Sequence, residues 1–469
     1  MKATDAVDAP DTVDVVALGE SMVTFLPGRP GRLADVPSFD RAIGGAESNV
    51  ACGLAAAGHT VRWVSRVGTD GFGDHLVETV ASYGVDVSCV GRDAVRPTGV
   101  YFRTAGDRAT DAHEVAYYRA GSAASAMSVE TVDLGAVRAG RVLHLSGITA
   151  ALSEGCLGLL RELTAAGGAR PLVSFDVNYR QSLWTASGGA GAGVLLELAR
   201  RADIVFVGED EAEQAWGVDG GPEAVRELLP EPAVLVVKAG AKGATAFVPS
   251  GTVGSSAAGA WGPLAQFPAP LTGRCPAAPD QAPQPRADAS REATQPRADT
   301  SGEVPQPRAD TSREVPQPRA GASGQAAQLR AGVSGQVPQL RAGVPQGGTG
   351  GRSGTLPAPV SAPTPTAAPT PGAFEPAPAV DVVATVGAGD AFAAGFLSGV
   401  LRGLPVRQTL RLGHLFAAAT LTSPADLAPP PARDTTDRLT ALDDTAWERL
   451  RLGPGWTQAE AADEEVRTP

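Results

Sequence analysis

Short apolar runs alternate with helical patterns through the first half of this chain, and that alternation leaves few folds open. Val13–Leu18, Val61–Val67, Val142–Leu145, Leu172–Phe175, Ile204–Val207 and Val234–Val237 each read as a strand. Between them lie helical patterns such as Asn49–Gly58, Gly73–Tyr83, Ser153–Ala166 and Gly191–Arg201. Strands that are apolar on both faces need cover on both sides, which predicts a parallel sheet sandwiched between helices. Val100–Arg103 and Glu114–Tyr118 flank a polar turn and fall outside the alternation, so they predict a hairpin in a smaller second sheet.

The alternation stops near Ser255. From Ala258 to Glu375 the chain is dominated by Pro, Ala, Gly, Gln and Arg, and Arg286, Arg297, Arg308, Arg319, Arg330 and Arg341 recur before Ala at eleven-residue intervals. An eleven-residue period suits a right-handed coiled coil, but Pro285, Pro296, Pro307 and Pro318 interrupt the early turns and no apolar stripe accompanies them. Disorder is therefore predicted for residues 258–375. Setting them aside leaves roughly 350 residues, a natural size for one α/β domain with a small appendage. The expected organisation is a flexible tail (1–12), a body (13–257) and the insert (258–375). The rest of the body (376–455) and an acidic tail (456–469) follow. Apolar Val380–Val383 reads as a strand, and helical pattern returns over Ala391–Leu421.

A formal net charge of −12 argues against general nucleic-acid binding, which needs a basic surface, but leaves room for a small anion held by a few placed cations. Cys52, Cys89, Cys156 and Cys275 are scattered without a CxxC pair and read as buried or incidental thiols. The acidic first residues lack the apolar core of a signal peptide, and no apolar run approaches the ~20 residues that cross a bilayer. A cytoplasmic protein is the expectation.

The residues that carry chemistry cluster in a few loops. Gly387-Ala388-Gly389-Asp390 follows an apolar run and opens a helical pattern. Glycines admit a phosphate to the backbone, and free amides at a helix start bind anions. An aspartate there repels phosphate, but it suits a base that takes a proton from an attacking hydroxyl; an ordinary Gly-rich turn capped by Asp390 is the alternative. Lysine occurs only at Lys2, Lys238 and Lys242. Lys238-Ala239-Gly240-Ala241-Lys242-Gly243 therefore places two of three lysines in one turn after a strand, as either a nucleotide-facing turn or a solvated hairpin. Gly44-Gly45 before Asn49 and a small-residue helix suits a polyhydroxylated ligand, or a tight turn capped by Asn49.

In this order, Gly-Gly-x-x-x-Asn and Gly-Ala-Gly-Asp resemble the two signatures of the ribokinase-like (PfkB) carbohydrate kinases, over nearly everything except the insert and tails. The resemblance implies a Rossmann-like α/β/α body and a β-sheet lid built from about residues 22–43 and 98–119. It implies ATP and Mg²⁺, with Asp390 as base and Gly387, Ala388 and Gly389 as anion hole. Glu211 would organise Mg²⁺ through water, and Asn178, Arg180, Lys238, Gly240, Lys242, Gly243 and His414 would face the nucleotide. Tyr117-Tyr118-Arg119, His144–Ile148 and Asp176–Arg180 are similar to segments of the 2-dehydro-3-deoxygluconate kinases. Gly45, Asn49, Tyr101, Tyr117, Arg119, Ile148, Arg180 and Asp390 would then bind the sugar acid. Arg119 and Arg180 would address its carboxylate and the phosphates, since guanidinium forks match both. Arg119 as a lid surface residue, Tyr117 and Tyr118 as sheet packing, and Trp184 as core are the alternatives.

Three departures qualify the resemblance. Ala384-Thr385 stands where the family has Asp-Thr, whose aspartate helps hold a monovalent cation, so only weak K⁺ dependence is expected. Gly208 replaces the Asn of an Asn-x-x-Glu pattern ending at Glu211, and His414 stands where an Asn is usual. The expected activity is transfer of the ATP γ-phosphate to a primary hydroxyl of 2-dehydro-3-deoxygluconate. The alternatives are a neutral-sugar kinase of the fructokinase or ribokinase type, and a silent sugar- or nucleotide-binding regulator. Exposed lid sheets often pair, which allows for a homo-oligomer joined through the lid.

Overall fold

The computed structural model describes residues 12–29, 31–104, 114–167, 170–185, 191–249 and 372–458. The arginine repeat, the predicted disorder of the insert, and Cys275 lie outside the described residues. The chain on either side of that gap belongs to one unit.

Among the described residues, fifteen strands form three sheets. In chain order they are β1 Val13–Leu18, β2 Met22–Pro27, β3 Phe39–Gly44, β4 Val61–Gly68, β5 Val90–Asp93, β6 Val100–Arg103, β7 Val115–Tyr118 and β8 Gly140–Ser146. Then come β9 Leu172–Asp176, β10 Ile204–Gly208, β11 Val234–Lys238, β12 Gly243–Phe247, β13 Ala373–Pro376, β14 Ala379–Val380 and β15 Arg451–Leu452. The apolar runs build a nine-stranded sheet ordered β13-β12-β11-β10-β9-β8-β1-β4-β5, parallel except for β12 and β13. The order reverses beside β1, which pairs with β4 on one side and β8 on the other. In open α/β sheets, that switch point, at the C-terminal strand ends, is where ligands bind.

Alternate residues explain why both faces are covered. Val15, Ala17, Phe206, Val234 and Val236 pack with Leu54, Phe392, Phe396 and Leu410. Val16, Leu18, Phe175, Val205 and Val237 pack on the other side with Leu159, Leu160 and Leu195. Each such Val or Leu contributes about 1.5–3 kcal/mol of burial. The four-stranded lid is ordered β3-β2-β6-β7, with β3 ending at Gly44.

Three boundaries differ from the sequence reading. The helix expected from Asn49 runs over Ala46–Ala56, because extended Gly45 already forms its N-cap. The predicted strand Val380–Val383 shrinks to Ala379–Val380, which pairs with β15 outside the main sheet. Val383 and Ala384 instead both donate to the Leu421 carbonyl at 2.7 and 3.3 Å, turning the backbone toward the end of the Val406–Leu421 helix. The insert boundary at Glu375 also falls inside β13, so the body resumes by Ala373. Glu375 is buried, accepting from Arg411 Nε at 2.6 Å and Arg407 Nε at 2.8 Å. Cys52 and Cys156 are buried and, like Cys89, free of disulfides.

Candidate active site

Two helices of small residues create the centre of the site. Ala46–Ala56 carries Asn49, and Ala388–Leu401 carries Asp390 in its first turn. A Cβ added to Gly53 would lie 3.1 Å from Ala394 Cβ, so the helices approach closely there. That approach brings Asn49 Nδ2 to 2.9 Å from Asp390 Oδ2, to which it donates. Gly387 caps the second helix with φ 81°, and a side chain there would collide with the Asp426 carbonyl oxygen. Only glycine meets both conditions. The first amides of this helix, beginning at Ala388 and Gly389, have no intrahelical acceptor and are free for an anion.

Opposite this helix start, the parallel strands deliver charge. Lys238, the last residue of β11, donates to Asp176 Oδ2 at 3.1 Å and Oδ1 at 3.3 Å; Asp176 ends β9. A Cβ on Gly389 would lie 3.6 Å from Lys238 Nζ, so the ammonium sits directly beside the helix start. Glu211 Oε2 accepts from the Gly208 amide at 2.9 Å, and its Oε1 lies 3.6 Å from Arg180 Nη1. Burial pushes Glu211 upward. Burial opposes the charge on Lys238, but Asp176 and then Glu211 outweigh it and hold the ammonium protonated.

Asp390 itself is half-buried. The protein packed around it pushes its carboxyl up to about 7, with the charge of Asp176 adding to the rise. The Asn49 hydrogen bond, Lys238 and Arg180 act the other way. Asn49 Oδ1 and Asn178 Oδ1 are buried without a protein hydrogen-bond partner, and Asn178 adopts a left-handed φ of 40°. Buried polar atoms left open in this way keep hydrogen-bonding capacity for a ligand.

A second cluster joins the lid to the body. Tyr101 and Arg103 of β6 both bond the carboxylate of Asp426, which is only 2% exposed. Asp426 therefore ties the lid to the segment whose backbone packs on Gly387. Gly45 lies against the Glu20–Ser21 backbone, so the glycine pair permits this close approach. Glu47, fully buried, accepts from Ser146 Oγ at 2.8 Å and Thr149 Oγ1 at 2.7 Å, joining helix Ala46–Ala56 to the end of β8 and the helix that follows it. Ile148 sits half-buried in the intervening helix Gly147–Ala150, and Tyr117, 52% exposed, has its ring 5.5 Å from that of Tyr101.

Some expected contacts are not made. Arg119 is paired with buried Glu20, which also accepts from Ser122 Oγ at 2.5 Å. Its charge is thus committed within the protein rather than held out for a carboxylate. His414 turns inward: its Nε2 lies 3.1 Å from the Glu375 carbonyl, its ring meets Phe392 edge-on, and burial lowers its pKa to about 4. It packs β13 onto the Val406–Leu421 helix rather than facing a nucleotide. Lys242 is 82% exposed, 3.9 Å from Glu209, in the turn Gly240–Lys242 that precedes Gly243. Trp184 is buried in the core. A basin of about 570 Å³ lined by Arg407, Arg411, Thr440 and Asp444 shares no residue with these loops. Its arginines are already held by Glu375 and Asp444.

Sequence reasoning missed Asp426, Glu20, Glu47 and the role of Asp176. Asp426 follows Ser423-Pro424-Ala425, which resembles no ligand motif. Asp176 was legible as a polar residue ending an otherwise apolar strand.

The model of the pfkB family carbohydrate kinases matches residues 13–258 and 370–433, and the chain belongs to that family. It is 34% identical over 237 residues to 2-dehydro-3-deoxygluconokinase of Thermoproteus tenax, covering 50% of this chain and 72% of that protein. It is 33% identical over 233 residues to fructokinase-1 of Oryza sativa subsp. japonica, covering 49% and 71%. The crystal structure of a PfkB protein from Polaromonas sp. JS666 superposes with a TM-score of 0.57 at 25% identity, covering 92% of this chain and all of that one. The protein is a sugar kinase with a ribokinase-like fold, and kinases of this family use ATP. Among the described residues, no helix is long and apolar enough to cross a membrane.

Proposed function

We propose that this chain transfers the γ-phosphate of ATP to a primary hydroxyl of a keto-sugar acid, 2-dehydro-3-deoxy-D-gluconate. The observation that carries the chemistry is Asp390, oriented by Asn49 at a helix start with free amides. Its carboxylate takes the hydroxyl proton as the oxygen attacks phosphorus, the bond to the ADP oxygen breaks, and the amides of Gly387–Gly389 take up charge on the phosphoryl oxygens. Gly45, Asn49, Tyr101, Tyr117 and Ile148 border the acceptor. Asn178, Lys238, Gly240, Lys242 and Gly243 border the nucleotide, and Arg180 serves both the nucleotide and the acceptor. The Asp426 tie lets the lid settle over the helix start and exclude water, which would otherwise compete as acceptor.

Of the carboxylates at this site, Asp176 is paired with Lys238 and Asp390 serves as the base, which leaves Glu211 for a cation, and no cluster of three metal-binding side chains occurs among the described residues. That donor set fits Mg²⁺, which Glu211 would help hold through water. When bound, the ion neutralises charge on the phosphates. The Ala384 side chain supplies no oxygen ligand, so turnover should depend on Mg²⁺ and change less than about threefold with added K⁺, a minor rate effect. A saturable tenfold K⁺ activation in a steady-state assay would contradict this.

Support for an acid comes from Arg180, whose side chain is 54% exposed and only loosely paired with Glu211, and from the relatives that phosphorylate such an acid by name. The commitment of Arg119 to Glu20 favours a second reading, a neutral sugar such as fructose. Coupled ADP release across a panel of keto-acids and neutral sugars separates them. At saturating ATP, Arg180→Leu should raise KM for the keto-acid about 10- to 100-fold, the worth of one charged hydrogen bond. It should raise KM for a neutral acceptor far less. Fructose as the best acceptor, or equal losses on both, would favour the second reading.

A further inference from the structure

We propose that the Asp176–Lys238 ion pair is a positioning element of the phosphoryl-transfer site: Lys238 holds a buried cation beside the Gly387–Gly389 loop, and Asp176, sharing that cation, sets how much of its charge reaches Asp390. The inference rests on Asp390 being the base. Its ground is geometric. Both Asp176 oxygens lie within 3.3 Å of Nζ, and Asp176 and Lys238 side chains are only 4% and 18% exposed. Nζ stands against Gly389, the residue before Asp390. In so dry a place, each charge acts at close range with little solvent screening.

The groups that face Asp390 come from every element around it. Helix Ala46–Ala56 contributes uncharged Asn49, β9 contributes Asp176, and the turn after β9 contributes Arg180. β11 contributes Lys238, and the start of the Glu209–Trp216 helix contributes Glu211, which acts on Lys238. Asp426, beyond the Val406–Leu421 helix, is already neutralised by Arg103. Asp176 and Lys238 thus push Asp390 in opposite directions. A lone lysine would make Asp390 too weak a base; a lone aspartate would keep it protonated at neutral pH. The pair supplies a local cation for the moving phosphoryl group while leaving the base near neutrality. Asp176 also accepts from the Asn178 amide at 3.3 Å, so it fixes the turn that carries Arg180.

The test is the acidic limb of kcat/KM for the acceptor at saturating MgATP. Asp176→Asn should move the limb down by roughly one pH unit and Lys238→Met should move it up by a similar amount, as expected for a single neighbouring charge. The double variant Asp176→Asn/Lys238→Met should return it toward the wild-type position. If Lys238→Met alone fails to fold, judged by thermal melting, the Asp176→Asn and double variants still decide the matter. Unmoved limbs, or limbs moved in the same direction by both single changes, would overturn the proposal and leave the pair a structural strut. Asp390→Asn distinguishes the two failures: if it keeps its turnover, the base assignment is wrong, whatever the limbs do.

Discussion

At one edge of the central sheet, β8, β9, β10 and β11 end in Ser146, Asp176, Gly208 and Lys238, and each of these enters a polar network at the site. At the other edge, β12 runs out at Phe247 and β13 begins at Ala373, joined by more than a hundred residues of chain. The antiparallel register makes the contrast geometric: Ala244 pairs with Lys238 at the site edge, whereas Phe247 pairs with Leu235 at the far edge. Parallel strands all deliver their C-terminal residues to one edge, so chemistry concentrates there and spacing is tightly constrained. A hairpin returns the chain to the opposite edge, where connection length is nearly free.

The contrast is broken most severely at Asp390. Asp390→Asn should lower kcat by about 10²–10⁴-fold while ATP and sugar binding survive, because the amide keeps the Asn49 hydrogen bond but cannot take a proton. Single-turnover kinetics and equilibrium binding would check this; turnover within threefold of wild type would remove the assignment. Wild-type activity should rise with pH through about 7, where Asp390 ionises. The same raised pKa gives a stability signature. Burying the ionised carboxylate disfavours the fold above pH 7, and that cost is relieved as protonation proceeds below it. Asp390→Asn should therefore raise the melting temperature at pH 8 and do so much less at pH 5.5. An equal gain at both would place the effect elsewhere than in the charge.

How much of this could be read from the sequence follows from range. The parallel sheet was legible because apolar runs and helical periodicity are local signals. The Gly-Ala-Gly-Asp loop was legible because its glycines, helix start and carboxylate are contiguous. Pairings between distant segments were not: Arg119 with Glu20, Asp176 with Lys238, and Tyr101 and Arg103 with Asp426 depend on topology that no local pattern encodes. His414 was misplaced because its position in the chain does not reveal which way its ring points on a helix buried on nearly every side. Glu375 was assigned to the insert because β13 is four residues long and follows a Pro-rich run.

That last boundary supplies the next largest effect, now on the outermost strand of the central sheet, where Glu375 pairs with Ala244. Glu375 neutralises Arg411, which is buried against the Trp447 ring at 4.8 Å. Glu375→Ala leaves Arg411 without its buried counter-ion and should cost about 3–5 kcal/mol, measured by chemical denaturation. Asp444→Asn, at the exposed rim of the same network, should cost about 1 kcal/mol or less. Equal costs would show that Glu375 is not the anchor of the returning chain.

The smallest effect is expected from the largest change. Residues 258–370 should be replaceable by a short Gly-Ser linker with little change in melting temperature or kcat. Ala246 and Ala373 are paired across the β12–β13 ladder, so the ends to be joined already lie side by side. They also lie at the edge of the sheet away from Lys238, so the join leaves the loops of the site untouched. Each doubling of loop length costs only about 0.6 kcal/mol, so shortening this connection changes stability by no more than a few kcal/mol in the favourable direction. The Pro-interrupted repeat offers little apolar surface to offset ordering its backbone, at roughly 1–2 kcal/mol per residue. The deletion must stop before Ala373, because extending it through Glu375 removes the anchor of Arg411 and should unfold the C-terminal part. A 258–370 deletion that loses most of its activity, while one of equal length in composition-matched linker does not, would show that the repeat itself serves the kinase.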